Sequence, residues 1–590
     1  MSFDAQPIVL LEALNAWLVT AGGLALLVLI LSFLSTLVLH GGAGPAVFAG
    51  EIRAACSDLL SLSPRRIWAL SKLTFIEAYR RKALAVFVVF ALLFMFAGWF
   101  MGGNDSEITA DQVKVYISFV LRTISWLTLP MALVLSSFGI PEDIRIRSLH
   151  TVVTKPARRL EIVIGRVLGF TMIGTLVLGV MSVVGWIWIV REIPASAQDM
   201  LVCRVPVKGE LRFLDRTGEL AETGINTGDI VDFRSYIEGA TKARAIWTFS
   251  GVDASALDSE GNLNLENQFF AFRSFKGDMN HQLLYDFQFR NPEKNLSFTT
   301  NPMEMREFRG VRNKIPRKLQ RAGDEKTYDL IDDFVTSEGT LQVEVSCIDR
   351  EQYLGMARPD LFIRLPDHSF ASGYFKAVLG IELMMILVVL ISVSASTFLK
   401  GPIATVLTFV LLVLGGEDSH KFMDKLITGR TKVNLPALED EVKSLEAKYA
   451  EALKLPSNPE KPAVVRDAKK KLDARRARLT TIREGFKGGG FLESIYRIYT
   501  HMNDTTELPE GPAFVVMEFF DWCLTGFLGL CKQVIPRLAT FNNMSEYVAN
   551  GFEVPWDSSL LPSLLIVLAY VPPCILLGYF ALRIRELESK

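Results

Sequence analysis

The sequence lacks the short motifs that mark common catalytic and nucleotide-binding sites. It contains no GxxxxGK[ST], no HExxH, no CxxC and no GxSxG, so nothing in it indicates a P-loop ATPase, a zinc protease, a dithiol centre or a serine hydrolase. Histidine and cysteine are also scarce, with six of each among 590 residues, and none lies at metal-ligand spacing. We therefore predict no catalytic residue, no metal site and no enzymatic activity in this chain.

Disulfides and nucleic-acid binding find equally little support. Only Cys203 and Cys347 fall in one soluble segment, so a single bridge is conceivable there if that segment faces an oxidising compartment. The formal net charge is −1, which gives no sign of the basic surface that nucleic acids attract. We predict no nucleic-acid partner.

The chain is instead rich in long apolar runs. Half of its residues are hydrophobic, and a helix needs about 20 such residues to cross a bilayer. The predicted spans are about 16–39, 83–101, 115–140, 162–190, 374–398, 402–416 and 559–582. The run at 16–39 is too long for a secretory signal and has no charged segment before it, so we predict that it is retained as an extra span.

Positive charge orients these spans. The connection 141–161 and the segment 42–82 are both basic, whereas the connection GGNDSEITADQV contains no lysine or arginine. Short basic connections are expected on the cytoplasmic side. We therefore predict a multi-pass protein of the plasma (inner) membrane, whose carboxy terminus, with Arg583 and Arg585, is cytoplasmic.

Two soluble insertions interrupt the spans. Within 192–372, hydrophobic and polar residues alternate, which predicts a β-rich domain outside the membrane. The buried positions of three strands would be Ala245, Trp247, Phe249, Tyr285, Phe287, Phe289, Leu341, Val343 and Val345. In the second insertion, 417–558, the apolar residues of 437–486 follow a 4-3-4-3 spacing around PSNPEKP, which predicts a helical hairpin or short coiled coil.

The sequence allows the second insertion to lie on either side of the membrane. If 402–416 crosses the membrane, 417–512 lies outside. If that short run dips in and returns, 417–512 is cytoplasmic and Ala513–Cys531 becomes the next span. We favour the outer location because long loops largely ignore the charge rule, and because Glu518 and Asp521 interrupt the later run.

Two charges lie well inside predicted spans. Arg122 and Glu382 are each about eight residues from the outer end of their span, so they occupy comparable depths. A charge at that depth without a partner costs several kcal/mol. An ion pair or snorkelling is the favoured interpretation, and lining of a translocation path is the alternative.

Together these features predict an all-α polytopic membrane bundle of six core transmembrane helices plus one extra N-terminal span, with an inserted β-rich domain and a helical-hairpin insertion. The predicted segments are 1–41, the extra span; 42–82, a cytoplasmic linker with an amphipathic interface helix; 83–191, helices with the connection 141–161; 192–372, the β-rich domain; 373–416, a helix pair; 417–558, the second insertion; and 559–590, the last span and tail.

The connection between the third and fourth spans carries a resemblance to a known family. Its run PEDIRIRSLHTVVTKPARRLEIVIGRVLG contains an acidic pair, a basic and serine-containing stretch, a KP-x-x-R step and Gly-Arg-x-x-Gly. This order resembles the first cytoplasmic loop of type-2, exporter-like ABC transporter permeases, which more often have lysine where Arg166 stands. Ser71 to Phe100 is similar to that family's entry into its first core span, and Pro536 to Glu586 to its last span.

The resemblance implies a permease subunit without its own ATPase, driven by separate ATP-binding cassette subunits that hold ATP and Mg and paired with a second permease copy or homologue. It implies that the loop and the helix before the first core span contact those subunits. The matching positions are Glu142, Asp143, Arg145, Arg147, Lys155, Arg158 and Arg159 in the loop, and Thr74, Glu77 and Arg81 in the helix. The alternative from the same sequence is a non-transporting membrane scaffold or sensor that presents its extracytoplasmic domains.

Overall fold

A computed structural model describes most of the chain. The described residues are 10–80, 86, 89–90, 93, 110–145, 158–221, 223–225, 234–273, 283–305, 310–320, 326–350, 352–428, 442, 469, 472, 476, 491–501 and 511–588. Apart from the isolated positions in this range, the predicted span 83–101 and the predicted hairpin 437–486 lie outside the described residues, as does 146–157 of the predicted loop.

The chain is mostly helical, with a separate β-rich region. The helices are α1 (Leu10–His40), α2 (Gly44–Leu60), α3 (Pro64–Arg80), α4 (Ala110–Arg145), α5 (Arg159–Glu192), α6 (Leu330–Phe334), α7 (Phe370–Phe398), α8 (Gly401–Leu414), α9 (Glu417–Thr428), α10 (Phe491–Tyr499), α11 (Pro512–Val534), α12 (Ala539–Ala549) and α13 (Leu561–Glu588). Single 3₁₀ or π turns join several of them.

Five helical stretches within the described residues are long and apolar enough to cross a membrane. They are Leu11–Leu60, Gln112–Asp143, Arg159–Glu192, Phe370–Phe398 and Trp556–Arg583. Five of the predicted spans, 16–39, 115–140, 162–190, 374–398 and 559–582, fall inside these stretches. The apolar runs of the sequence therefore form membrane-length helices, and the chain is a membrane protein.

Helix α7 is the centre of the bundle. It packs against α4, α5, α12 and α13, and nearly all of its residues are buried. Small residues let its neighbours approach: a Cβ at Gly174 on α5 would overlap the side chain of Met385. Polar bonds add to this packing, since Ser394 donates to the carbonyl of Cys574 on α13 at 2.8 Å. Close approach of backbones through small residues is typical of helix association in lipid.

Helices α1 and α2 form a hairpin on one side of this bundle. Gly41 has a φ of +54°, and a Cβ at Gly44 would lie 2.8 Å from the Cα of Leu37, so both positions of the turn require glycine. The ring of Phe48 on α2 lies 5.3 Å from that of Phe33 on α1 and 6.3 Å from that of Phe580 on α13. The extra N-terminal helix is thereby attached to the last helix of the chain.

The β-rich region lies between α5 and α7. Its strands are β1 (Val202–Lys208), β2 (Glu210–Leu214), β3 (Leu220–Ala221), β4 (Ser235–Glu238), β5 (Arg244–Ser250), β6 (Asn262–Asn267), β7 (Phe270–Arg273), β8 (Leu284–Asn291), β9 (Leu296–Thr299), β10 (Met303–Glu304), β11 (Val311–Pro316), β12 (Lys318–Gln320), β13 (Thr327–Asp329), β14 (Thr340–Cys347), β15 (Gln352–Met356) and β16 (Leu361–Ser369). The two larger sheets have the orders β1-β16-β6-β11 and β10-β8-β14-β5-β2-β3.

The alternation read from the sequence is confirmed here. Strands β5, β14 and β8 are antiparallel neighbours in the larger sheet, and all nine predicted inward residues on them are fully buried. The ring of Phe269 packs edge to face on Tyr285, at 5.4 Å between ring centroids. The predicted inward face is thus the core of the domain.

The disulfide considered between Cys203 and Cys347 is not formed. Both thiols are free and buried, and they lie in different sheets, Cys203 on β1 and Cys347 on β14. A Cβ at Gly373, the start of α7, would overlap the Cys203 sulfur, so that thiol fills a gap between the β domain and the bundle.

We expect neither buried thiol to react with a maleimide in the native protein at pH 8, whereas Cys56, which is exposed, reacts. Burial raises the pKa of Cys203 to about 11 and that of Cys347 to about 12, so only about one Cys203 thiol in a thousand is ionised at pH 8. Mass spectrometry of the labelled protein, with and without prior reduction, checks this. Rapid native labelling of Cys203, or a mass increase of 2 Da on reduction, contradicts it.

Helix α8 is shorter than a membrane span. Its 14 residues rise about 21 Å, against about 30 Å of hydrocarbon. After Gly415 and Gly416 the chain bends by 69° into α9. The helix in the predicted span 402–416 is therefore too short to cross the hydrocarbon by itself.

Helix α12 lies end to end with α8. Both α8 and α12 pack against α4 and α7, with Gly401 of α8 beside Phe138 at one end and Val548 of α12 beside Gly373 at the other. They meet where the amide of Leu538 donates to the carbonyl of Gly415 at 2.8 Å. Two helices separated by more than a hundred residues thus occupy one groove as a discontinuous helix.

Candidate functional site

The candidate site is at the end of the bundle where α4 ends and α5 begins, here called the basic end. The predicted loop residues and the predicted interface helix both lie there. Helix α3 packs along α5, and α2 reaches the first residue before α5. The opposite end carries the β domain.

Helix α3 contacts α5 through its small polar face. Ser71 and Thr74 are buried, and their hydroxyls donate to Ile67 and Leu70 carbonyls one turn earlier. They lie on Gly169 of α5, where a Cβ would meet the Thr74 side chain and would come within 2.7 Å of the Ser71 carbonyl oxygen.

The apolar face of α3 points away from the bundle, with Trp68 60% and Tyr79 53% exposed. The division of α3 into two faces agrees with the sequence. The helix follows α5 in register, however, which an amphipathic helix lying alone in the interface does not do.

Arg166 is the hub that joins three helices. It lies on α5, and its side chain is only 11% exposed. Its guanidinium contacts Glu77 of α3 at 2.6 Å, donates to the Thr74 hydroxyl at 3.2 Å, and forms an ion pair with Asp143 at the end of α4. A buried charge is tolerated when it is paired and hydrogen-bonded in this way.

Glu161 is the second node, one turn earlier on α5. Its side chain is fully buried and accepts from the amide of Ser63 at 2.9 Å, from Arg66 Nη2 at 2.7 Å and from the amide of Arg158 at 3.1 Å. Glu161 therefore caps the first turn of α5 and holds the start of α3 against it.

Helix α2 completes the assembly. Arg158 donates to Asp58 at 2.9 Å and to the carbonyl of Ser57 at 3.0 Å. Buried Glu51 pairs with Arg583 of α13 at 3.3 Å. The linker between the extra helix and α3 is thus bonded to the first residue before α5 and to the last helix. We call the set of ion pairs around Arg166, Glu161 and Arg158 the basic-end clamp.

The predicted loop and helix residues are partly brought together. Asp143, Arg158, Thr74 and Glu77 belong to the clamp, while Glu142 and Arg159 are half-buried beside it. The Arg145 side chain and all of Arg147, Lys155 and Arg81 lie outside the described residues.

The predicted site residues did not include the clamp's central residues, Arg66, Glu161 and Arg166, although Arg166 was identified as part of the Gly-Arg-x-x-Gly motif. One signal was available, because Arg166 is the only charged residue between Ile162 and Val190.

The two charges within spans do not pair with each other. Glu382 accepts a hydrogen bond from the Thr175 hydroxyl of α5 at 2.6 Å. Arg122 lies on the exposed face of α4, near Trp126. No ion pair joins these two described side chains. Of the ion pair and the snorkelling considered for Arg122, snorkelling along the exposed face therefore fits its position.

The β-domain end has an ionic joint of its own. Arg204 of β1 pairs with Glu266 of β6, lies 4.2 Å over the ring of Phe552, and bonds through its backbone amide to the carbonyl of Gly551. Glu553 pairs with Lys376 of α7 and with His368 of β16. The segment that follows α12 is thereby bound to both the β domain and α7.

We expect Glu553→Gln to lower the stability by about 1 kcal/mol at pH 7. Burial raises the pKa of Glu553, but hydrogen bonds from Lys376 and His368 outweigh it and hold the pKa below its usual value. A carboxyl with a depressed pKa stabilises the fold above its unfolded pKa, about 4.3, and loses that contribution as the pH falls through the folded value. Thermal melting of both proteins between pH 7 and 3.5 should show their difference shrinking below about pH 4. A difference that is constant or grows on acidification contradicts this.

No family model, no curated protein and no solved structure matches this chain. Among the described residues, no group of three or more histidine, cysteine, aspartate or glutamate side chains is arranged to hold a metal ion.

Proposed function

We propose that this chain is the membrane-spanning permease subunit of an ATP-driven ABC transporter of the type-2, exporter-like class. ATP hydrolysis takes place in separate ATP-binding cassette subunits, which hold ATP and Mg. The chain works with a second permease copy or homologue. The proposal is supported by the family-like order of residues from Pro141 to Gly169, by the missing phosphate-binding loop and by the membrane-length helices.

The observation that carries the proposal is the basic-end clamp. The two elements that the resemblance assigns to contact with the ATPase are far apart in sequence. In this fold, Arg166 and Glu161 bind both elements to the first turns of α5. A force applied to the connection between α4 and α5 would therefore also move α3. A subunit that receives mechanical work at this end needs such a rigid joint.

The proposal also assigns a topology. The six core spans are 83–101, α4, α5, α7, the discontinuous α8–α12 helix and α13, and α1 is the extra one. The basic end is cytoplasmic by the distribution of lysine and arginine, which places the β domain outside and the carboxy terminus inside the plasma (inner) membrane.

Co-purification from the native host in mild detergent tests this function. We expect an ATP-binding cassette subunit to accompany the wild-type chain. The informative variant is Arg147→Ala with Lys155→Ala, two loop charges that the resemblance assigns to contact with the ATPase. Asp143 is avoided because it pairs with Arg166, and its loss would disturb the fold.

The matched control is Arg212→Ala with Lys242→Ala, which removes two exposed positive charges from the β domain. Loss of the ATPase in the loop variant, together with its retention in the control, supports the proposal. If no ATPase accompanies the wild-type protein, the permease proposal fails and a scaffold or sensor becomes the better explanation.

A further inference from the structure

Helices α9, α10 and α11 form a unit in which the polarity of α10 and α11 is inverted. We call these three helices the lateral unit. Helix α11 packs against both α9 and α10. In a unit surrounded by water, apolar side chains would occupy those contacts and charged ones the surface.

Charged side chains instead fill the inside of the lateral unit. Glu493 and Arg497 on α10 are more than nine-tenths buried and pair at 2.8 Å. Asp521 on α11, 9% exposed, accepts from the amides of Leu492 and Glu493 at 2.8 and 3.1 Å. Asp521 thus caps the start of α10, and these charges are satisfied within the unit.

Large apolar side chains cover the outside of α10 and α11, whereas α9 also exposes charge, with Lys421 64% and Asp424 46% exposed. On α11 the exposed fraction is 58% for Phe519, 73% for Trp522 and 63% for Phe527. The other exposed large apolar side chains of the unit are Phe422, Phe491, Ile495, Tyr496, Ile498, Tyr499, Val515, Val516, Phe520 and Leu530. This number of exposed large apolar side chains exceeds the scattered exposure that is normal on the surface of a soluble protein.

The attachment of the lateral unit indicates what surrounds it. Helix α9 follows α8 after two glycines and bends away by 69°. The last turn of α11 returns to the bundle, where the carbonyl of Val534 accepts from the hydroxyl of Tyr570 on α13 at 2.9 Å. Tyr570 lies well inside a membrane-length helix, Trp556–Arg583. The unit thus leaves the bundle sideways from the break in the discontinuous helix, between the two ends of the spans.

We propose that the lateral unit is embedded in the lipid bilayer and that its exposed apolar face contacts acyl chains. An apolar exterior with a paired, hydrogen-bonded polar interior is the distribution that hydrocarbon requires. This inference does not depend on the transporter proposal, because it concerns the environment of α9–α11 and not their function.

Cys523 provides a native probe, since it is exposed and lies one helical turn from both Phe519 and Phe527. The full-length chain with Cys56→Ser and Cys531→Ser is labelled at Cys523 with a nitroxide and reconstituted in phosphatidylcholine vesicles. Power saturation compares its collisions with oxygen, which concentrates in hydrocarbon, and with a water-soluble nickel chelate.

Two references in the same Cys56→Ser, Cys531→Ser background, each with Cys523→Ser and one introduced cysteine, calibrate the measurement. Ile187→Cys reports the exposed face of α5, 52% exposed, and Leu220→Cys reports the β domain, 73% exposed. We expect the ratio of oxygen to nickel collisions at Cys523 to match that at Ile187→Cys and to exceed that at Leu220→Cys several-fold.

A ratio equal to that at Leu220→Cys places the face in water and overturns the proposal. Low collision rates with both reagents, together with dipolar broadening that disappears on dilution with unlabelled protein, identify a second copy as the cover and overturn it as well. The same measurement at Val516→Cys guards against a local effect of the label at Cys523.

Discussion

Arg166→Leu is expected to destabilise the protein by about 3–5 kcal/mol, the usual cost of removing one partner from a buried ion pair. The substitution removes the Arg166 guanidinium from its ion pairs with buried Asp143 and with Glu77, and it removes a donor from the Thr74 hydroxyl. Three helices lose a shared contact, so the loss exceeds that of a single exposed pair, which is about 0–1 kcal/mol.

Thermal melting in mild detergent, followed by size-exclusion chromatography, measures this effect. Arg122→Leu is the matched control, because Arg122 is also an arginine in a membrane-length helix but lies on the exposed face. The triple variant Arg166→Leu, Asp143→Asn, Glu77→Gln should recover part of the loss, since no buried charge then remains unpaired. Equal melting of Arg166→Leu and Arg122→Leu would show that the clamp adds nothing to stability.

Arg166→Lys separates charge from geometry at the same position. The permeases that this loop resembles more often have lysine here, and an ammonium keeps the positive charge between the two carboxylates. It lacks the planar fork with which the guanidinium reaches Glu77, Thr74 and Asp143 together. We therefore expect an intermediate stability, closer to the wild type than to Arg166→Leu.

The features that the sequence predicted well are those with a local signal. The apolar runs at 115–140 and 162–190 are continuous, so each specified its helix without knowledge of its neighbours. The alternation around Trp247 and Phe287 has the period of a strand, and it correctly identified the buried face. Both signals are read within about twenty residues of chain.

The features that escaped prediction depend on contacts between distant segments. Nothing near Gly415 indicates that its carbonyl accepts from Leu538, more than a hundred residues later. The lateral unit was not predicted for a related reason. Glu518 and Asp521 interrupt an apolar run in the sequence, but the buried Asp521 caps α10. The pairing of charges could likewise not be predicted from the sequence, since Glu382 accepts a hydrogen bond from Thr175 and does not pair with Arg122.

The packing of α3 shows how one glycine can decide such a contact. We expect Gly169→Ala to destabilise the protein by about 1–3 kcal/mol, the range for overpacking a well-filled contact. The new Cβ would lie 2.7 Å from the carbonyl oxygen of Ser71 and would overlap the Thr74 side chain. That carbonyl is backbone and cannot rotate away, so α3 has to move off α5 and stretch the contact between Arg166 and Glu77.

Gly179→Ala is the control on the same helix, where a Cβ meets nothing within 4 Å. In a helix interior this exchange stabilises by roughly 0.5–1 kcal/mol, since alanine has the higher helix propensity. The two substitutions add the same methyl group to α5, yet we expect opposite shifts in melting temperature. If Gly169→Ala melts at or above the wild-type temperature, α3 does not pack on this face of α5, and the clamp that depends on that packing must be abandoned with it.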